Sequence, residues 1–262
     1  MSGKLYIVGL GPGGREHMTG RALRALEEAS IVAGYKTYIK HIESLIQGKE
    51  IIASGMTKEI DRAWAAIQST MNGAVTALVS GGDAGIYAMA PVVFELLHDK
   101  SIALGPGGLA LEVVPGVPAV AAAGALLGAP LSHDFACVSL SDRLTPWEVI
   151  EKRLHAAAGA DFVIAVYNPK SRGRDWQLGR ALEILEGYRQ PETPVGVVRA
   201  AMRPEQSVEL YTLETVAGAQ VDMSTILIIG NTNSFEYRGA MVTPRGYLDK
   251  YGATRIDREA GS

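Results

Sequence analysis

The residues best placed to do chemistry lie in Ser80-Gly-Gly-Asp-Ala-Gly-Ile-Tyr87, where one carboxylate, Asp83, stands among three glycines. The stretch follows an apolar run, Ala74-Val-Thr-Ala-Leu-Val79, and precedes a helix-spaced segment from Ala88 to Leu97. That order describes a buried strand, a loop and a helix. Glycine in such a loop allows positive φ or a close approach of the backbone to a ligand. A carboxylate there suits the polar anchor of a cofactor cradle. It equally suits a cap on the following helix, and this stretch alone leaves both readings open.

A second glycine loop, Gly9-Leu-Gly-Pro-Gly-Gly14, follows the short strand Leu5–Val8. Gly9, Gly11 and Gly14 satisfy the dinucleotide spacing. However, Pro12 removes a backbone donor, and the second strand, Ser30–Gly34, ends without the acidic residue that holds a ribose. Arg15-Glu16 stands where a phosphate-binding loop needs Lys and Ser/Thr. A third polar loop, Tyr167-Asn-Pro-Lys-Ser-Arg-Gly-Arg174, is basic. The five histidines (17, 41, 98, 133 and 155) show no metal-ligand spacing, and no metal is expected. The single cysteine, Cys137, sits in an apolar strand, where it reads as buried and inert. No G-x-S-x-G elbow occurs. Binding loops without a triad fit chemistry that a cofactor carries, of which methyl transfer from a sulfonium donor is one case.

The elements that position these loops alternate between strand and helix. Strands are expected at 5–8, 30–34, 50–53, 74–79, 109–114, 135–139, 161–166, 194–198, 206–212 and 225–229. Helices are expected from Thr19, as N-cap, to Glu28, at 38–46, at 57–71 with Ile60, Trp64 and Ile67 buried, at 88–97, at 119–128, from Thr145 as the N-cap of a capping box with Glu148, and at 176–188. The pattern predicts an α/β protein with mostly parallel sheets. The residues are expected to divide into an α/β domain at 1–116, a second at 117–245 and a charged, loosely held tail at 246–262. Polar or glycine positions fall where strands stop, at Gly11, Asp83, Pro115, Asn168, Arg199 and Asn231, which points to a ligand site at strand ends.

The 262 residues are 47% hydrophobic and 20% charged, with net charge −3. That balance disfavours general nucleic-acid binding. No apolar run is long enough to span a bilayer, the first residues have no signal-peptide layout, and one cysteine fits a reducing cytoplasm.

Val8-Gly-Leu-Gly-Pro-Gly13, Ser80–Tyr87, Val114-Pro-Gly-Val-Pro118, Leu127-Gly-Ala-Pro130 and Gly230-Asn231 occur in an order that resembles the tetrapyrrole methylases. The resemblance covers residues 4–247. Within the family, Val138–Glu148, Val166-Tyr-Asn-Pro-Lys170 and Ile229-Gly-Asn-Thr232 are similar to the ring-contracting branch, which methylates C-17 of precorrin-3B to give precorrin-4 in cobalamin synthesis, or to its cobalt-containing equivalent. The chain departs from the common pattern at Gly14, Ala84 and Pro118, where many relatives carry aspartate, proline and a hydroxyl residue.

The resemblance implies two α/β domains with S-adenosyl-L-methionine in the cleft between them, released as S-adenosyl-L-homocysteine. It implies cofactor contacts at Gly11, Pro12, Gly82, Asp83, Ile86, Ala119, Val120, Tyr167, Asn168, Ala200, Gly230, Asn231 and Thr232. The substrate it implies is a tetrapyrrole with many carboxylates, a match for Arg15, Arg143, Lys170 and Arg199; Arg172 and Arg174 are weaker candidates, since many arginines are merely solvated. Asp142 and Arg199 are the candidates for catalysis, because ring contraction requires proton transfer. A homodimer is implied by the family and by the small-residue run 119–128. The rival readings are a dinucleotide-dependent reductase built on Gly9–Gly14 and a tetrapyrrole carrier that does not bind the cofactor.

Overall fold

Leu5 and Ile7 turn to one side of the first strand and Tyr6 and Val8 to the other, and both sides are buried. Side chains alternate along a strand, so a continuous apolar run marks a strand covered on both faces. In the computed structural model, which describes residues 3–252 apart from Arg172, that strand lies within a parallel sheet. The elements around it are β1 (Lys4–Gly9), α1 (Gly20–Glu28), β2 (Ile31–Tyr35), α2 (Lys36–His41), β3 (Glu50–Ser54), α3 (Glu59–Met71), β4 (Val75–Ser80), α4 (Met89–Asp99), β5 (Ala110–Val114) and α5 (Ala119–Leu127). The strand order is β3-β2-β4-β1-β5, all parallel. α1 and α2 cover one face and α3 and α4 the other.

Thr19 caps α1 as expected, its hydroxyl accepting the Ala22 amide at 3.1 Å. α3 differs from expectation. Ile67 is buried, but Ile60 is 64% exposed and Trp64 only half-buried. The buried face centres on Ala63, Ala66, Ile67 and Thr70, where small side chains let the helix lie close to the sheet. Residues 38–46 do not form one helix: α2 ends at His41 and a single 3-10 turn follows at Glu43–Leu45.

The chain divides into two units. The first runs to Ala122 and includes Ala201–Pro204; the second takes Ala123–Ala200 and the residues from Glu205 on. The division falls inside α5. The second unit contains β6 (Gly128–Ala129), β7 (Phe135–Ser139), α6 (Trp147–Gly159), β8 (Val163–Tyr167), α7 (Gln177–Glu186), β9 (Pro194–Arg199), β10 (Ser207–Thr212), β11 (Thr225–Ile229), β12 (Phe235–Tyr237), β13 (Ala240–Val242) and α8 (Tyr247–Tyr251). α6 and α7 cover one face of the sheet β10-β9-β11-β8-β7. Leu127 of α5 lies over Gly196 on the other, where a Cβ would sit 2.6 Å from Leu127 Cδ2.

This second sheet is mixed. β7 and β8 are parallel, but β11 pairs antiparallel with both β8 and β9, and β10 antiparallel with β9. The expected antiparallel strand at 206–212 is present; the reversed direction of β11 is the difference. Three local expectations also change. The residue preceding α6 is Pro146, and no side chain caps that helix, so Thr145 and Glu148 form no capping box. Cys137 is half-buried, because β7 is an edge strand; partial burial raises its thiol pKa. Arg245 is tied down, its guanidinium donating to the Ser132 carbonyl at 3.3 Å, and α8 follows it; the rest of the expected loose tail, 253–262, lies outside the described residues. No helix among the described residues is long and apolar enough to cross a membrane.

Candidate functional site

In the first unit the loops after β1, β4 and β5 meet at the carboxyl edge of the sheet, because these three strands are neighbours. The Leu10 amide donates to the Ser80 carbonyl and the Gly11 amide to the Gly82 carbonyl, both at 2.9 Å. Asp83 Oδ1 accepts the Gly85 amide at 2.8 Å, and Oδ2 accepts the Gly116 amide at 3.1 Å. Asp83 is therefore no helix cap: α4 starts at Met89, after Ala88, with no side-chain cap. It ties its own loop to the loop after β5 and keeps a carboxylate at the edge.

The glycines differ in their reasons. A Cβ on Gly9 would lie 2.6 Å from the Gly116 nitrogen and 2.7 Å from the Gly82 carbonyl oxygen. A Cβ on Gly11 would meet the Gly82 Cα and the Val117 carbonyl, and would lie 2.8 Å from the Gly82 nitrogen. These two glycines let three loops interlock, so the space at Gly11 belongs to the chain's own backbone rather than to a ligand. Gly82 has φ +63°, and a Cβ there would make only ordinary contact, the nearest atoms being Ala119 N and Pro118 Cα at 3.8 Å. Half-buried, it is the one of these three glycines at which a Cβ would displace nothing. Gly11 and Pro12 are buried and Arg15 is exposed. Ile86 is 38% exposed. Ala119 is half-buried and Val120 buried in the first turn of α5. The Pro12 carbonyl accepts Arg203 Nε at 3.3 Å. Sequence reading missed Arg203, which carries no motif signal.

In the second unit the corresponding edge holds the ends of β7, β8 and β9. Asn168 follows β8 at φ +52° and Ala200 follows β9 at φ +47°. Both are non-glycine residues in a conformation L-residues rarely adopt. Asn168 Nδ2 donates to Ser139 Oγ at 2.9 Å. The Ala200 amide donates to the Ser224 carbonyl at 2.9 Å. Tyr167, half-buried, accepts the Leu140 amide on its carbonyl at 2.9 Å. Asp142 Oδ2 accepts Gln177 Nε2 at 2.9 Å.

Arg199 finds a partner within the fold. Its Nε donates to Asp222 Oδ2 at 2.7 Å, which holds the guanidinium more firmly protonated than usual. Burial works against the Asp222 carboxylate, but the bonds from Arg199, the Ser224 amide and Thr225 outweigh it and lower its pKa. Arg143 and Lys170 are exposed and enter no ion pair among the described residues. Arg174 is neither a solvated charge nor open to a ligand. It is 6% exposed, and its Nη1 donates to the Leu140 and Asn168 carbonyls at 3.1 and 2.7 Å. Burial lowers its pKa. Arg172 lies outside the described residues.

Gly230, Asn231 and Thr232 are not brought to this edge. β11 runs antiparallel to β8, pairing Leu227 with Val166 and Ile229 with Ile164. Its carboxyl end therefore lies beside the start of β8, a five-residue strand, roughly 15 Å long, away from Asn168. There Thr232 Oγ1 donates to Asp161 Oδ2 at 2.6 Å and its amide to Oδ1 at 3.0 Å. Asn231 Oδ1 accepts the Asn233 amide at 3.0 Å. The Gly230 carbonyl accepts Arg189 Nε at 3.1 Å, and the same buried guanidinium reaches the Ala158 and Phe162 carbonyls, both at 3.0 Å. This stretch is tied down by bonds within its own unit, and Gly230, Asn231 and Thr232 remain proposed cofactor contacts. Within 119–128, Gly124 is buried, and a Cβ there would sit 2.7 Å from Leu131 Cδ1, while Ala121, Ala125 and Gly128 are exposed.

Residues 4–217 match the family model of the Tetrapyrrole (Corrin/Porphyrin) Methylases. A cobalt-factor III methyltransferase of Priestia megaterium is 46% identical over 98% of this chain, which spans 48% of that relative's length. A probable cobalt-factor III C(17)-methyltransferase of Salmonella typhimurium is also 46% identical, over 93% of this chain and 99% of its own. Among solved structures, that of the methyltransferase CobJ superposes with a TM-score of 0.85 at 36% identity, covering 93% of this chain and 100% of that one. The uroporphyrin-III C-methyl transferase of Thermus thermophilus complexed with S-adenyl homocysteine superposes at 0.69 with 25% identity, covering 87% of this chain and 97% of that one.

Proposed function

Because this chain belongs to the tetrapyrrole (corrin/porphyrin) methylase family, we propose that it is an S-adenosyl-L-methionine-dependent methyltransferase of cobalamin biosynthesis. It acts at C-17 of a ring-contracting precursor, cobalt-factor III or its metal-free counterpart precorrin-3B. The observation that carries this reading is the 46% identity to the Salmonella typhimurium relative across nearly the full length of both chains. The relative's name favours the cobalt-containing substrate.

When bound, S-adenosyl-L-methionine supplies an activated methyl group on a sulfonium. The first unit fits such a ligand: Gly82 offers an αL backbone without a side chain, and Asp83 offers a carboxylate fixed by two amides. In this reading Gly82, Asp83 and Ile86, with the Pro12 main chain, Ala119 and Val120, hold the cofactor. Gly11 supports them by packing. Tyr167, Asn168, Ala200, Gly230, Asn231 and Thr232 are further proposed cofactor contacts. Arg15, Arg143 and Lys170 hold substrate carboxylates as exposed cations. Arg199 orients one through the part of its guanidinium not engaged by Asp222. Asp142, oriented by Gln177, moves a proton during contraction. A homodimer in the cytoplasm completes the reading; a light-scattering mass near 27.8 kDa would contradict the dimer.

Calorimetry with S-adenosyl-L-methionine, S-adenosyl-L-homocysteine and NADPH tests the cofactor. Binding of the first two at micromolar levels supports the proposal. Binding of NADPH alone would favour the reductase reading.

A further inference from the structure

Asn168 follows the carboxyl end of β8 at φ +52° and is itself followed by Pro169. Two backbone preferences are broken there at once. L-residues avoid the left-handed region, and a residue before proline favours an extended backbone at negative φ. Such a conformation persists only where its surroundings hold it, and strain of this kind gathers at functional sites.

Two side chains hold it. The first is Ser139, which pairs with Tyr167 across β7 and β8. Its Oγ accepts Asn168 Nδ2 at 2.9 Å and the Ser141 amide at 3.2 Å. The second is Arg174, whose Nη1 donates to the Asn168 carbonyl at 2.7 Å and to the Leu140 carbonyl at 3.1 Å. Arg174 is anchored in turn. It exchanges main-chain bonds with Ser171 at 2.9 and 3.0 Å, and Gly173 turns the chain between them at φ +77°. The guanidinium thus joins the loops after β7 and β8 through the carbonyl of the strained residue.

Stability alone does not account for this arginine. It is buried, forms no ion pair among the described residues, and leaves Nε without a hydrogen-bond partner. A buried charge costs free energy unless it is paired. An apolar side chain would fill the same space without that cost.

We propose that Arg174 and Ser139 are positioning residues, which hold Asn168 in the left-handed conformation that S-adenosyl-L-methionine requires of the Tyr167–Asn168 main chain. This rests on the methyltransferase reading, with Asn168 as a cofactor contact, and adds the residues that set its shape. Both act through Asn168 and not on the cofactor itself. Without Arg174, Asn168 relaxes toward the extended backbone that Pro169 favours. Only the molecules still in the left-handed form then bind, and the apparent Kd rises in inverse proportion to their fraction.

The test is calorimetry of the full chain with S-adenosyl-L-methionine and S-adenosyl-L-homocysteine, at a temperature where circular dichroism shows each variant folded. Arg174→Met should raise both Kd values by at least roughly tenfold. Arg174→Lys, whose ammonium can donate to the same two carbonyls, should recover part of the loss. Ser139→Ala should raise Kd by at least about threefold at an unchanged melting temperature. Asn168→Gly is the deciding background, because glycine enters the left-handed region freely. There Arg174→Met should cost no more than about threefold, since little strain is left to hold. An equal loss with asparagine or glycine at position 168 would make Arg174 a general support and overturn the proposal. An unchanged Kd in folded Arg174→Met would overturn it too. If Arg174→Met does not fold, Ser139→Ala decides alone, and an unchanged Kd there overturns the proposal. Each of these outcomes leaves the methyltransferase reading intact as long as the wild type binds. A wild type that binds neither ligand would bring down both readings together.

Discussion

The Asp83 carboxylate accepts the Gly116 amide at 3.1 Å, so the loop after β4 is tied to the loop after β5 across the intervening β1. A second bond, from the Gly85 amide at 2.8 Å, fixes the same carboxylate from within its own loop. Asp83 thus works on two levels: it orders the glycine-lined edge of the first unit, and it presents an anion there.

Asp83→Ala should therefore affect stability as well as cofactor binding. Loss of the tie between loops should lower unfolding stability by about 1.5–3 kcal/mol. Asp83→Asn should recover part of this, because its oxygen accepts one amide while its nitrogen cannot accept the other. Chemical denaturation and calorimetry with S-adenosyl-L-methionine, run on the same samples, separate the two effects. An unchanged denaturation midpoint in Asp83→Ala would show that the tie contributes nothing.

Gly11 and Gly82 should respond in opposite ways. Gly11→Val places side-chain atoms inside the backbone of Gly82 and Val117, and should prevent folding or lower the melting temperature severely. Gly82→Ala meets no atom nearer than 3.8 Å, at φ +63°. It should fold, at a cost of roughly 1–2 kcal/mol for the left-handed conformation, and should weaken cofactor binding. A well-folded Gly11→Val with normal circular dichroism and melting would refute the interlocked-loop account.

Thr232→Val removes the hydroxyl bond to Asp161 at the far edge of the second sheet. It should cost about 1 kcal/mol of stability and, with Thr232 as a proposed cofactor contact, raise the Kd for S-adenosyl-L-methionine. An unchanged Kd would remove this residue from the cofactor's contacts.

Glu112 on β5 receives Arg21 Nε and Nη2, at 2.5 and 2.7 Å, and Lys4 Nζ at 2.7 Å. These bonds lower its pKa from 4.5 to about 2. A carboxylate depressed in the folded state contributes stability that is complete above its unfolded pKa. That contribution is lost as the pH falls from about 4.5 toward 2. Glu112→Gln should be less stable than wild type at neutral pH, and the difference should shrink across that window. The group is a third exposed, so the effect should be modest and weaker in high salt. A stability difference independent of pH would contradict the pairing.

Much of the fold could be read directly from residue order. Leu5–Val8 showed its strand through continuous apolarity, Thr19 its helix through a cap, and Ser80–Tyr87 its loop through glycine. The direction of β11 could not be read. Thr225–Ile229 is equally apolar in either orientation, and only its pairing with β8 and β9 sets which end Gly230–Thr232 occupies. Burial of arginine was equally hidden. Arg62, Arg174 and Arg189 are all nearly inaccessible and bind main-chain carbonyls of their own fold. In sequence each looks like a surface charge, because its partners are main-chain oxygens that every residue carries. Arg199 and Asp222 are 23 positions apart, and nothing in either residue's neighbourhood announces the other.

The most direct test of the central claim is transfer of the methyl group itself. The protein is incubated with methyl-labelled S-adenosyl-L-methionine and cobalt-factor III, or precorrin-3B, and the macrocycle is analysed by mass and by label. The account predicts one labelled methyl on a ring-contracted product, together with S-adenosyl-L-homocysteine. Folded protein that leaves both macrocycles unlabelled would contradict it.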